Sequence, residues 1–330
     1  MKILYAASEA VPFCKTGGLA DVAGSLPPAL AEQGAETAVI LPLYRRIREK
    51  FADQLTFLCY DYVDLAWRHT YCGLFSMKKD DVTWYFLDNE QYFKREGGIY
   101  GYFDEAERFA FFSKAVLETL THIDYEPDVI HCNDWQTALI PVYLNVFYRE
   151  VPKLSRTHTV FTIHNIQYQG QFGLDVAGDV CGLPDWAIGK VEFHGDLNMM
   201  KGALEECERI STVSPTYARE ILDPYFGHGL DEILRQKEWK LCGILNGIKR
   251  LHPRRAGTLR LAVFPLGVGL LDVGGVQQHA LQQVGGEPGG EEAGGQGPVQ
   301  GRPPAADAPA GRTRYPHPGH GKPPGKPQRV

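Results

Sequence analysis

Residues 2–30 read KILYAASEAVPFCKTGGLADVAGSLPPAL, and this stretch decides the fold. KILYAA (2–7) is an unbroken apolar run, the pattern of a strand covered on both faces of a parallel sheet. Lys15-Thr16-Gly17-Gly18 follows as a loop, and Leu19 to Gln33 then carries apolar residues at helical spacing. A strand, a glycine loop and a helix in that order open a βαβ unit. The N-terminal apolar stretch holds a single Lys and is interrupted by Ser8, Glu9 and Pro12. It therefore reads as a first strand and not as a signal peptide, with the cytoplasm as the expected location.

Outward from this unit the alternation continues. ETAVILP (36–42) predicts a second strand, and 55–88, with its alternating pattern and TWYFLD, predicts extra strands at a sheet edge. Residues 104–122 begin with acids and repeat apolar residues every 3.6 positions, which predicts a helix. DVIHCN (128–133) and HTVFTIH (158–164) predict strands, with a helix over WQTALIPVYLNVFY (135–148) between them. Residues 196–208 predict a helix, RISTVS (209–214) a strand, PTYAREIL (215–222) a helix with Pro at its start, and CGILNGI (242–248) a last strand. The expected fold is α/β, a Rossmann-like, doubly wound parallel sheet with helices on both faces.

Composition narrows the function. At 44% hydrophobic and 11% aromatic residues the chain can bury a proper core, and no apolar run reaches the ~20 residues of a membrane span. The seven cysteines are scattered without a C-x-x-C pair, which argues against a disulfide framework and a zinc site. A net charge of −6 gives no general reason to bind nucleic acid. Motifs for nucleotide hydrolysis (G-x-x-x-x-G-K-[ST]), dinucleotide binding, serine hydrolysis and H-E-x-x-H zinc chemistry do not occur.

Ligands of open α/β sheets sit beyond the carboxyl ends of the strands, and four junctions there carry polar residues. In Lys15–Val22 (KTGGLADV), Gly17 and Gly18 let the backbone approach a ligand. The following helix N-terminus and Lys15 suit a phosphate, although a glycine turn with a solvated Lys and a capping Asp21 fits the residues equally. In His131–Thr137 (HCNDWQT), Asp134 could bond sugar hydroxyls and Trp135 stack on a pyranose, or they could be a helix cap and a core residue. His164-Asn165 closes a strand with groups able to bond hydroxyls or developing charge, yet a lone His is more often structural. The cluster Glu192–Asn198 with Lys201 is dense in polar groups, as solvated faces usually are.

Together, in this order, these segments resemble bacterial glycogen (starch) synthase. The resemblance runs through KILYAASEAVPFCKTGGLADVAGSLPPAL, YFKREGGIYGY, RFAFFSKAVLE, DVIHCNDWQTALIP, VFTIHNIQYQG, NMMKGALEECERISTVSPTYAREIL and GILNGI, nearly all of residues 1–248. It implies the N-terminal domain of a two-domain GT-B glucosyltransferase. That enzyme moves glucose from ADP-glucose to the non-reducing end of α-1,4-glucan with retention, using no metal or cofactor. The resemblance places Lys15, Gly17, Gly18 and Asp21 at the donor phosphates. It places His164 beside the transferred glucose, stabilising its developing positive charge, with Asn165 in support. Asp134, taken as catalytic with His164, and Trp135 would line the sugar and acceptor part of the cleft, with Asn246 at its floor. The implied partners are ADP-glucose and glycogen, with neither nucleic acid nor membrane.

The likeness stops at Ile248. The family's second domain supplies most of the nucleotide pocket, and Lys249 stands where an Asp usually follows N-G-I. Residues 251–330 hold 17 of the 36 Gly and 12 of the 22 Pro, and no Ile, Ser, Asn, Met, Cys or Trp. That composition is expected to stay disordered, so 249–330 reads as a low-complexity tail after a 1–248 domain. It is also what out-of-frame translation of a GC-rich gene yields; resequencing the locus, with an intact mass of 36.8 kDa as the contrary result, tests this. The expected function is a truncated, inactive synthase; the alternatives are a non-catalytic glucan-binding fragment and a poorly folded product.

Overall fold

The computed structural model describes residues 1–247; what the sequence leads one to expect of 249–330 lies outside the described residues. A nine-stranded sheet runs through this part, in the order β12-β11-β7-β6-β1-β2-β5-β4-β3. Its centre is β1 (Lys2–Ala6), parallel to β2 (Glu36–Pro42) on one side and to β6 (Val129–Asn133) on the other. Leu4 lies opposite both Ala38 and Ile130, and all three are buried, as an apolar run without alternation requires. Beyond β6 come β7 (His158–Ile163), β11 (Arg209–Thr212) and β12 (Leu241–Gly243), all parallel. The connection from β1 goes to β2 on one side, whereas β6 lies on the other. The order therefore reverses beside β1, where such sheets open a crevice.

The expected edge strands are present. β5 (Val82–Asp88) pairs parallel with β2, and β4 (Arg68–Lys79) and β3 (Thr56–Leu65) continue antiparallel, which makes the sheet mixed. Helix α1 (Gly18–Glu32) packs on β2, and α2 (Arg45–Phe51) and the short α3 (Glu90–Phe93) follow β2 and β5. Helix α4 (Glu105–His122) begins with Glu105 and Glu107, which favour its N-terminal dipole, and buries Phe109, Phe111, Phe112, Val116 and Leu120. It packs on β3 and on α5 (Leu139–Tyr143).

Three expectations change. The helix over 135–148 is a 3₁₀ turn at Trp135–Thr137, then α5, then a π-helical turn at Leu144–Tyr148. Pro141 has no N–H for the carbonyl of Thr137, and the Thr137 hydroxyl is tied to the backbone of Asn133, so a regular first turn cannot close. The helix over 196–208 starts later, as α8 (Met199–Glu206). Residues Asp196–Asn198 are instead β10, the middle of a small antiparallel sheet with β8 (Gln171–Gly173) and β9 (Glu192–Phe193). α6 (Asp175–Asp179) and α7 (Asp185–Ile188) lie between β8 and β9 in the chain. Of CGILNGI, Cys242 and Gly243 belong to β12; Ile244 still donates to Thr212, and the chain then leaves the sheet. α9 (Pro215–Glu220), capped by Ser214, and α10 (Asp231–Gln236) complete the described part.

Candidate functional site

Three neighbouring parallel strands, β1, β6 and β7, end at the same side of the sheet, and the loops that leave them carry most of the expected site residues. After β1 the chain folds back so that Glu9, buried at 3% exposure, meets its own loop. The Glu9 carboxylate accepts from the Thr16 hydroxyl at 2.7 Å, from the Thr16 N–H, and from the Gly17 N–H at 3.2 Å. It fixes the loop immediately before α1. Gly17 is the N-cap and Gly18 the first residue of that helix.

Two expectations about this loop gain detail. Lys15 is not a free cation: its Nζ bonds both carboxylate oxygens of Asp21 at 2.7 and 2.6 Å, with both side chains about half exposed. The N–H groups of Thr16 and Gly17 already serve Glu9, so the donors left for a ligand are those of the first turn, from Gly18 on. Gly18 has no backbone need to be glycine, since a Cβ there would meet nothing within 4 Å. The space in front of it is open.

After β6, Asp134 adopts φ 55° and ψ 179°, a left-handed strained conformation for a residue other than glycine. Its N–H bonds the Thr162 carbonyl at 3.0 Å, and its Oδ1 accepts from the N–H of His164 at 2.8 Å and, more weakly, of Asn165 at 3.4 Å. Asp134 thus straps the end of β6 to the end of β7. Burial raises its carboxyl to about 7, helped by the charge of Glu9 and opposed by the two backbone N–H groups.

His164 lies part-buried between these loops. Its Nε2 is 3.0 Å from Oδ1 of Asn133, and the surroundings of Asn133 settle which atom carries the proton. The Asn133 Nδ2 donates to the carbonyls of Ala6 at 3.0 Å and His131 at 3.1 Å, so the amide oxygen faces the other way. That oxygen accepts from the buried Tyr5 hydroxyl at 2.8 Å and can only accept from His164. His164 is therefore the Nε2–H tautomer, with Nδ1 left as an acceptor. Burial holds its imidazole down to about 4, against the pull of Glu9, and burial with His164 nearby holds His131 down to about 3. His131 in turn bonds the Thr162 hydroxyl at 2.6 Å.

The structure does not bring every expected residue to this place. Trp135 is corrected: it is only 7% exposed, with Phe109 at 5.1 Å edge-on, Phe172 at 6.0 Å and the Gly170 backbone against its ring. A Cβ on Gly170 would come within 2.6 Å of Trp135 Cε3, so the indole is core and has no free face on which a sugar could stack. Asn165 is exposed, and its Oδ1 accepts from the Gln167 N–H at 3.0 Å. Asn246 is exposed three residues past β12, and no hydrogen bond joins it to the others among the described residues. The cluster 192–198 resolves into a hairpin: His194 (φ 55°) and Gly195 (φ 89°) turn between β9 and β10, and Asn198 caps α8. The grouping with metal-ligand chemistry among the described residues is Asp61, Glu118 and His122, which belongs to β3 and the end of α4 and is already ion-paired.

Three residues escaped the sequence reading: Glu9, Asn133 and Tyr5. Each is short of a recognisable pattern. Asn133 stood inside HCNDW as a neighbour of Asp134, and Glu9 as an interruption of an apolar run.

The perturbed groups give a pH signature. Near pH 5 the unfolded chain carries protons on both His131 and His164, and the folded chain on neither. Asp134 is the reverse, protonated when folded and ionised when unfolded. The two histidines make stability rise with pH and Asp134 makes it fall, a net of about one proton, or ~1.4 kcal/mol per pH unit between about pH 4.5 and 6. Asp134→Asn removes the opposing group and keeps an acceptor for His164. Its stability slope in that window, from urea unfolding, is expected to be steeper than wild type by ~1.4 kcal/mol per pH unit. Equal slopes would mean that Asp134 is ionised in the folded chain.

The sequence profile described as the starch synthase catalytic domain matches residues 2–236. The chain is 50% identical over 252 residues to a glycogen synthase of Exiguobacterium sibiricum, covering 75% of this chain and 52% of that protein. It is 50% identical over 250 residues to one of Desulforamulus reducens, with the same coverage. Among solved structures it is similar to the catalytic domain of starch synthase IV from Arabidopsis thaliana bound to ADP and acarbose. The identity is 30% and the TM-score 0.66, over 74% of this chain and 51% of that one. The chain spans about half the length of the curated relatives it matches.

Proposed function

We propose, for a chain that belongs to the starch synthase catalytic domain family, that the ends of β1, β6 and β7 form the wall of a crevice that takes ADP-glucose. In the two-domain enzyme that the resemblance implies, this is where glucose passes to the non-reducing end of an α-1,4-glucan. One observation carries this reading: Asn133 at the end of β6 bonds both the Ala6 carbonyl of β1 and His164 just past β7, and Asp134 accepts from the His164 N–H, so the three strand ends are tied together, while Glu9 clamps the Lys15–Gly18 loop that follows β1.

The chemistry suits that place. In glucosyl transfer with an oxocarbenium-like transition state, positive charge grows on the sugar while the diphosphate leaves with negative charge. A neutral His164 adds no repelling cation, and its Nδ1 can accept from a sugar hydroxyl. Glu9 sets a negative potential at the same spot. The open first turn of α1 and Lys15 supply donors and charge for the phosphates, once Lys15 exchanges Asp21 for the ligand. Gly18 leaves the room for this approach.

Two measurements test the reading. Titration of the ¹⁵N-labelled chain with ADP-glucose is expected to shift the His164 imidazole and the Gly18 amide first. Shifts confined to other surfaces would sink the assignment. Incubated with labelled ADP-glucose and glycogen, the purified chain is expected to incorporate no measurable glucose. The chain spans about half the length of the curated relatives it matches, and on the described wall the leaving diphosphate meets only Lys15 and the first turn of α1.

A further inference from the structure

The sheet order sets where sugars can lie along the crevice. β1, β6 and β7 are consecutive neighbours, so the loop after β1, with Lys15 and Gly18, is two strand spacings, about 10 Å, from the loop after β7. His164 opens the β7 loop. With the phosphates at the β1 loop and the transferred glucose at His164, the β7 loop borders the side remote from the phosphates, from which an acceptor chain reaches that glucose. A pyranose carries apolar C–H faces between its hydroxyls, and an aromatic ring open to solvent can cover such a face while the hydroxyls stay wet.

Three aromatic residues stand on the loops that leave β1, β6 and β7: Phe13, Trp135 and Tyr168. Phe13 is packed against Phe51, Trp84 and Phe86, and Trp135 is core. Tyr168 is different, at 61% exposed. The turn that carries it is held at every residue. Asn165 accepts twice, from the Gln167 N–H at its Oδ1 (3.0 Å) and from the Tyr168 N–H at its carbonyl (3.3 Å). Ile166, 2% exposed, is gripped at both ends, its N–H by the Tyr217 hydroxyl of α9 at 3.1 Å and its carbonyl by Gln169 Nε2 at 3.1 Å. Gln169 is itself buried with all four of its bonding positions used. Nε2 also donates to the His228 carbonyl at 3.0 Å, and Oε1 accepts from Asn198 at 2.7 Å and Gln171 at 3.2 Å. A buried, fully satisfied amide makes a rigid foundation, so the backbone under Tyr168 is already ordered.

We propose that Tyr168 is an acceptor-binding residue, its ring the platform for a glucosyl unit of the α-1,4-glucan, in the place that Trp135 does not fill. This rests on the reading of the crevice given above and adds to it the side chain that holds the second substrate. An aromatic ring on a fixed turn loses little freedom on binding, since the backbone is set and two torsions remain.

The test is titration of the ¹⁵N-labelled full chain with maltohexaose, a linear α-1,4-glucan. Saturable shifts are expected at the Gln167 and Tyr168 amides and at the Tyr168 ring. Tyr168→Ala removes an exposed side chain and keeps the fold, checked by an otherwise unchanged spectrum. It is expected to bind maltohexaose about 5-fold more weakly or worse, the loss typical of an aromatic anchor. Tyr168→Phe keeps the ring and should bind within about 2-fold of wild type, which separates stacking from a hydrogen bond of the hydroxyl. Wild-type affinity in Tyr168→Ala, or no saturable binding of maltohexaose to the wild type, would overturn the platform. The crevice reading is checked apart from it, by the ADP-glucose shifts at His164 and Gly18. With those shifts present, an unaltered Tyr168→Ala refutes the platform alone; without them the crevice reading fails and the platform falls with it.

Discussion

Trp135→Ala is expected to lower folding stability by about 3–5 kcal/mol, the usual cost of deleting a buried Trp side chain. The indole joins separate elements: Phe109 of α4, Phe172 of β8, and the backbone at Gly170. It follows directly on Asp134, so its packing also helps hold the strained turn at φ 55°. The cavity left behind could not close without moving α4, whose opposite face is anchored by the buried Phe111. For a chain of this size the loss corresponds to a fall in Tm of roughly 6–20 °C, readable by circular dichroism. Trp135→Phe, which keeps a ring against Phe109, should recover much of it. A Trp135→Ala protein as stable as wild type would contradict the packing described. The same argument bears on glycogen binding. If Trp135→Ala stops co-sedimenting with glycogen, the cause is lost structure, and no lost stacking platform needs to be invoked.

The contrast between Trp135 and Lys15 shows what could be read from the chain alone. The strands were legible because a parallel sheet covered on both faces demands unbroken apolar runs, and KILYAA, ETAVILP and HTVFTIH supply them. The junction loops were legible because parallel strands all end on one side, so polar residues at those ends must converge. Side-chain direction was not legible. Asp134-Trp135 is a polar and an aromatic residue at a strand end, and nothing local says which one faces the crevice. Only the backbone turn at Asp134 sends one to His164 and the other to Phe109. Lys15 was read as a charge for phosphate, but its partner six residues on, Asp21, became a bond only when α1 was built. Glu9 and Asn133 act through contacts that span loops or strands, with Asn133 bonding residues up to 128 positions away in the chain. No spacing rule reaches that far.

Asn133→Ala should produce the largest change at the site itself. In the wild type all four hydrogen-bonding positions of the Asn133 carboxamide are used, by Tyr5, His164, Ala6 and His131. Alanine leaves the Tyr5 hydroxyl, which is fully buried, without its acceptor and takes a donor from the carbonyls of Ala6 and His131, at an expected cost of about 1–3 kcal/mol. The sharper consequence concerns the proton on His164. In long-range ¹H–¹⁵N spectra the wild-type ring is expected as the Nε2–H tautomer, neutral on lowering the pH until about 4. Without the Asn133 oxygen nothing distinguishes the two nitrogens, so the Asn133→Ala ring should show mixed tautomers. Asn133→Asp puts a charge where the amide oxygen was, within reach of both Tyr5 and His164, and should raise the imidazole pKa toward or above its ordinary value. Its second oxygen would face the carbonyls of Ala6 and His131, so a destabilised fold accompanies that shift. A merely structural Asn133 would alter stability in these variants while leaving the tautomer unchanged. A wild-type spectrum showing Nδ1–H would reverse the network, with the acceptor lone pair on the nitrogen beside Asn133 and none left for a sugar hydroxyl.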